Sequence, residues 1–240
     1  MKHALLFIIC IFSLSSYAAS DGPAENQQKN LPVLAHYRFD VDASDATGRN
    51  PDCQLRNAAF SDNALYLNGR YQLGRNPRGY RVVCSTPSLN YAAFTVAVRF
   101  KAQRFDWRRS HILAGGVLYR WVVINRTEDG NLNVILNNHR FRHEIKGARI
   151  NKDEWTVVAC GVDVASAKLV VYLNRVKVAE VDLPEGFRFE VEGSAHAKTD
   201  NVWALANYSN ATIFHGLMDE MIIYDRMLSE EEFAEIPLHP

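Results

Sequence analysis

The length of the apolar runs constrains this chain most. Stretches at 94–100, 120–125, 132–136, 155–162 and 168–173 are short, rich in β-branched and aromatic residues, and separated by segments that contain Gly, Asn, Asp or Pro. Runs of that kind read as strands, because they cover half-buried pleated surface and are too short to give a helix a sustained apolar stripe. Glu128-Asp129-Gly130-Asn131 between two such runs predicts a hairpin with an Asp-Gly turn. Asn174-Arg175 between 168–173 and 176–181 predicts another. A helix is expected only at 229–236, where Ser229 and Glu232 have capping-box spacing and Pro237 stops the turn. With no internal repeat of solenoid or propeller period, the expectation is one all-β domain: two antiparallel sheets packed as a jelly-roll sandwich, with a short C-terminal helix.

Two segments place carboxylates where a strand should be apolar. Asp219-Glu220 interrupts the run from Phe214 to Tyr224, and Gly216 permits a sharp bend before it. Near the start, His36-Tyr37-Arg38-Phe39-Asp40 leads into Asp42, Asp45, Thr47 and Gly48. Desolvated carboxylates are expensive unless paired or hydrogen-bonded, so Asp219 and Asp45 each require a partner.

Taken in order, these segments resemble a laminin-G-like domain of the concanavalin A-like lectin/glucanase superfamily, with pentraxin-like relatives. The matching residues are Tyr37-x-Phe39-Asp40, the loop Asp45-Ala46-Thr47-Gly48, the strand Ala64-Leu65-Tyr66-Leu67-Asn68-Gly69, the strand at 94–100, the pair at 155–159 and 169–174, and Gly216-x-x-Asp219-Glu220-x-x-Ile223-Tyr224-x-Arg226-x-Leu228-Ser229. Arg175 departs from the pattern, which has Gly after Asn. The resemblance implies a domain over 34–237 whose first and last strands lie side by side. It also implies a calcium ion stapling the termini, with Asp40, Asp45 and Asp219 as the candidate metal ligands. The alternative is that Asp219 accepts loop amides while Asp40 or Asp45 caps a turn.

Residues 1–18 read as a secretory signal: Lys2 and His3, an apolar stretch from Ala4 to Phe12, and a small-x-small site at Ser16-Tyr17-Ala18. Residues 19–33 are a polar lead-in expected to be disordered. Export makes the protein extracellular, or periplasmic or cell-surface in a bacterium, with no membrane insertion expected. It also favours disulfides. Cys53 and Cys84, in early loop-flanked strands, are the expected pair, and Cys160 sits in an apolar strand as a small buried hydrophobe. In a eukaryotic host Asn125, Asn207 and Asn210 begin Asn-x-Ser/Thr sequons and are candidate glycan acceptors.

Formal net charge is zero, so no overall field selects nucleic acid or any other polyanion. Locally the balance differs: between Arg99 and Arg149 there are eleven Lys or Arg against four acids. Within that region Trp107, Arg108 and Arg109, together with Arg140 and Arg142 around Phe141, are the candidate ligand-binding residues. An aromatic face stacks on sugar rings, and a guanidinium grips carboxylate or sulfate bidentately.

The catalytic signals are weak by comparison. A retaining glycosidase needs two carboxyls about 5 Å apart. The alternating Glu-x-Asp-x-x-Glu strand of the glucanase branch is absent, and Glu190-Val191-Glu192 has no third acid in register. Arg126-Thr127-Glu128 runs into a turn, away from the mid-strand place a lyase signature needs, and no nucleophile context surrounds the histidines. The expected function is a secreted, non-catalytic module that binds carbohydrate, possible anionic polysaccharide included, or an extracellular glycoprotein. The alternatives are a polysaccharide-processing enzyme with an atypical site and a pentraxin-like assembly protein; the oligomeric state stays open.

Overall fold

The alternation of buried and exposed side chains seen in sequence resolves into two stacked antiparallel sheets. The computed structural model describes residues 33–56, 58–67, 81–86, 89, 91–105, 110–115, 121–137, 140–189, 202–205 and 214–236, all within the compact unit Pro32–Pro240. Residues 1–32, which include the expected signal and all of the lead-in but Val33, lie outside the described residues, as do Trp107, Arg108, Arg109, His139, Glu190, Glu192, Asn207 and Asn210.

The described residues form fifteen strands and one helix. One sheet runs in the order β13 (Val176–Asp182), β12 (Lys168–Leu173), β11 (Trp155–Asp163), β6 (Ala93–Phe105), β15 (Phe214–Tyr224), β4 (Ala64–Leu67) and β3 (Ala59–Ser61), with β1 (Val33–Tyr37) also paired to β15. The other runs β10 (Phe141–Arg149), β9 (Asn131–Leu136), β8 (Val122–Arg126), β7 (Ser110–Gly115), β14 (Val202–Leu205), β5 (Arg81–Ser85) and β2 (Gln54–Arg56). The jelly-roll sandwich and the adjacency of first and last strands are therefore as expected, with Tyr37 facing Met221. Val33, assigned to the lead-in by sequence, is the first residue of β1.

Between the sheets lie Tyr37, Phe94, Phe100, Trp121 and Trp203, all fully buried. Trp121 and Trp203 meet edge-on at 4.2 Å between ring centroids. Cys53 and Cys84 form a disulfide that ties the first loop to β5. Cys160 is free and buried, and burial pushes its thiol up to about 12. Ser229 and Glu232 complete a capping box that opens helix α1 (Glu230–Ala234), whose Phe233 stacks on Tyr172. Asn174 and Arg175 both adopt positive φ in the β12–β13 turn, so the hairpin keeps its tight geometry despite the missing glycine.

Long strand β15 is kept in place by its irregularities. A Cβ at Gly216 would stand 2.1 Å from the carbonyl oxygen of Lys101, so only glycine allows this approach to β6. Further along, Met218 pairs with Phe100 and Glu220 with Arg99, leaving Asp219 as the extra residue of a β-bulge. A bulge re-aims the side chains around it. Here it lets Asp219 and Glu220 both reach the outer side of the sheet, where Arg99 and His36 stand.

Candidate functional site

Two depressions collect the polar side chains that the sequence singled out. The first lies over β6, β11 and β15, beside the segment that follows β1 and the β3–β4 turn. Asp40, Asp62, Asn63, Arg99, Trp155 and Asp219 line a hollow of about 560 Å³. Arg99 and Asp219 are each 6% exposed, and an Arg99 Nη1–H donates to Oδ2 of Asp219. The Arg99 guanidinium also lies over the Trp155 indole, 4.1 Å from the ring centroid. Beside them Glu220, 2% exposed, pairs with His36 Nε2 at 2.5 Å. Burial pushes the Asp219 carboxyl above its ordinary range; the hydrogen bond and charge of Arg99 oppose this, while Glu220 and Asp40 add to it. Trp155 is only partly buried. It is a wall of this hollow.

Asp45 is placed elsewhere and used differently. Its Oδ1 accepts the backbone N–H groups of His36 and Thr47. Its Oδ2 accepts the Thr47 hydroxyl, the N–H groups of Arg49 and Asn50, and the Asn50 side-chain amide. A carboxylate has about four lone-pair sites, so these donors saturate it. Burial acts to raise this carboxyl, but the donors from His36, Thr47 and Asn50 prevail and hold it down at about 2.

Calcium takes six to eight oxygens converging on one point. Among the described residues no group of three or more His, Cys, Asp or Glu is disposed to hold a metal ion. Asp45 is saturated by donors, and the side chain bonded to Asp219 is already a cation. The residues present do not fit the calcium site that the resemblance implies; Asp40 and Asp219 share the hollow, and Asp45 caps its own loop.

The second depression, about 260 Å³, is lined by Asn137, Arg140, Pro184, Gly186, Phe187 and Arg188. The β9–β10 connection supplies Arg140, and the segment after β13 supplies Phe187 and Arg188. The Asn137 side-chain amide donates to the Arg188 carbonyl at 2.9 Å and joins the two segments. Phe187 packs edge-on against Phe141 and Phe189, which fixes one wall. Of the expected binding residues, Arg140 lines this site and Arg142 lies exposed two residues on, in β10. Sequence reasoning missed Asn137, Phe187 and Arg188; the cluster Phe187-Arg188-Phe189 after a Pro-x-Gly turn was the available signal.

Asn125 requires a correction. It lies in β8 with no exposure, and its Oδ1 accepts from the Asn133 side chain at 2.8 Å. A folded chain cannot carry a bulky glycan there, so this sequon is not a glycan site in the folded domain.

No helix among the described residues is long and apolar enough to cross a membrane. No curated protein matches the chain in sequence. Several solved structures match it in fold. Domain 4 of AbnA, a GH43 extracellular arabinanase from Geobacillus stearothermophilus in complex with arabinotriose, superposes with a TM-score of 0.65 at 20% identity, over 85% of this chain and 97% of that one. The ligand binding domain of botulinum neurotoxin serotype D, in complex with N-acetylneuraminic acid, gives 0.64 at 12% identity over 84% and 49%. The binding domain of botulinum neurotoxin DC, in complex with rat synaptotagmin II, gives 0.60 at 9% identity over 81% and 49%. The chain thus spans about half the length of the toxin domains it matches. The family model of the concanavalin A-like lectin/glucanases superfamily matches residues 76–234, well over half of the sequence, and the protein belongs to that superfamily.

Proposed function

We propose that the protein is a secreted, non-catalytic recognition module that binds an acidic carbohydrate, free or on an extracellular glycoprotein, at the depression of Asn137, Arg140, Phe187 and Arg188. The carrying observation is the pairing of two arginines with an aromatic wall at one open hollow. Guanidinium groups bind carboxylate or sulfate with two parallel hydrogen bonds, and Phe187 offers an apolar edge to a sugar ring. The similar structures hold arabinotriose, N-acetylneuraminic acid and a synaptotagmin, which supports a carbohydrate or glycoprotein partner in general terms. Export rests on the signal-like residues 1–18 and accords with the disulfide.

The non-catalytic reading is supported by the other hollow. Its buried carboxylate, Asp219, is engaged by Arg99, which removes it from service as one of a free carboxyl pair. A glycan array with sialylated, uronic-acid, sulfated and neutral chains tests the proposal, run with Arg140→Ala/Arg188→Ala alongside the parent. Binding should be confined to acidic chains, weaken steeply with salt, and fall at least about tenfold in the double variant, since each charged contact contributes roughly 1.5–3 kcal/mol. Neutral-chain binding that ignores salt and both substitutions would refute it.

A further inference from the structure

The misfit between the outer hollow and calcium has a chemical explanation. We propose that Arg99 is the resident cation of that site: a guanidinium delivered by the sheet occupies the role that a calcium ion would hold, and it staples the terminal strand without metal.

Three observations support this. First, Arg99 is the one charged residue in the run from Phe94 to Phe100, at the centre of the sheet, and it is nearly as buried as its apolar neighbours. A solvent-facing arginine needs no such position. A buried arginine persists only where its charge is balanced. Second, the bulge in β15 spends a residue to bring Asp219 to the same side as Glu220, directly across from Arg99. Asp40, from the segment following β1, lines the same hollow. Asp219 from the last strand and Asp40 from the segment after the first therefore meet at this hollow, with Asp62 of the β3–β4 turn beside them, so both ends of the domain that a stapling ion would join are represented. Third, Trp155 at the start of β11 lies under the guanidinium. An indole beneath the cation suits a planar, weakly hydrated guanidinium, whereas a hard divalent ion asks for oxygens on every side. His36 completes the set by pairing with Glu220, which ties β1 to β15 within the same group.

The position is specific to this chain's own residues and independent of the glycan depression. It makes the parent protein indifferent to calcium at this site. It also implies that calcium indifference is a property of one side chain: with the guanidinium removed, Asp40, Asp62 and Asp219 line a hollow that Arg99 no longer neutralises.

Thermal melts of the full mature chain, with calcium chloride and again with chelator at matched ionic strength, test this in the parent, in Arg99→Met, and in Arg99→Met/Asp219→Asn. The parent melting temperature should agree in the two conditions within about 1 °C, because a ligand that binds the native state would raise it. Arg99→Met keeps the bulk of the side chain while leaving Asp219 without its partner. It should lower the melting temperature by on the order of 10 °C, the scale expected for breaking a buried pair in a domain of this size. Calcium should raise the melting temperature of that variant. The double variant removes both charges, so it should melt above Arg99→Met in chelator and supply a folded comparison if the single variant is too unstable. A calcium response of several degrees in the parent would overturn the proposal. So would a double variant no more stable than Arg99→Met, because the loss would then come from packing on Trp155 and not from charge.

Discussion

Replacing Asp45 by Ala probes a carboxylate that holds an entire loop in place. Six donors from His36, Thr47, Arg49 and Asn50 converge on it. Hydrogen bonds to a charged acceptor contribute about 1.5–3 kcal/mol each when their donors cannot turn to water. Asp45 itself is 6% exposed, and the His36 N–H belongs to strand β1. Counting only two such donors as stranded gives a loss of roughly 3–4 kcal/mol, or about 10 °C in melting temperature for a domain near 200 residues. Asp45→Asn separates charge from shape. The folded carboxyl stands at about 2, below the ordinary carboxylate range, so the ionised form contributes to stability. That lowering amounts to roughly 2 kcal/mol once solvent screening is discounted. The sign follows from the depressed folded value. The contribution is fully present above the unfolded pKa near 4 and disappears as pH falls through about 2. Circular-dichroism melts of the parent, Asp45→Asn and Asp45→Ala across pH 2 to 7 measure all of this. The parent should lose its advantage over Asp45→Asn between about pH 4 and pH 2. If Asp45→Ala melts with the parent at pH 7, or the advantage persists unchanged to pH 2, the reasoning about this loop is wrong.

Two further outcomes are expected. Gly216→Ala should destabilise by about 3 kcal/mol or more, since the new Cβ meets the backbone oxygen of Lys101 at 2.1 Å and backbone cannot step aside; a denaturant midpoint equal to the parent's would contradict this. Cys160 should resist a thiol reagent in the native state and react once denaturant is added, because its thiol is buried and held up to about 12; rapid native labelling would contradict that placement.

Local physics made much of this protein legible in its sequence. The β8–β9 and β12–β13 hairpins and the capping box at Ser229 follow from turn chemistry and short apolar runs readable within a few residues, whereas the pairing of terminal strands was implied by the family resemblance. Asp219 was legible as a buried carboxylate in need of a partner, but not the partner. Arg99 stands 120 residues away in sequence, and only the pairing of β6 with β15 brings the two together. The same holds for Arg140 and Arg188, joined by the Asn137 bridge between segments far apart in the chain. Asn125 shows the converse: its sequon is a local pattern, yet its place in β8, with Asn133 across from it, removes it from solvent. The sequence by itself determined which segments are strands and that certain charges need partners, because propensity and desolvation act on each residue where it stands. Which cation answers which carboxylate, and which arginines share a hollow, was decided by the tertiary structure, because those distances are set by sheet order and register.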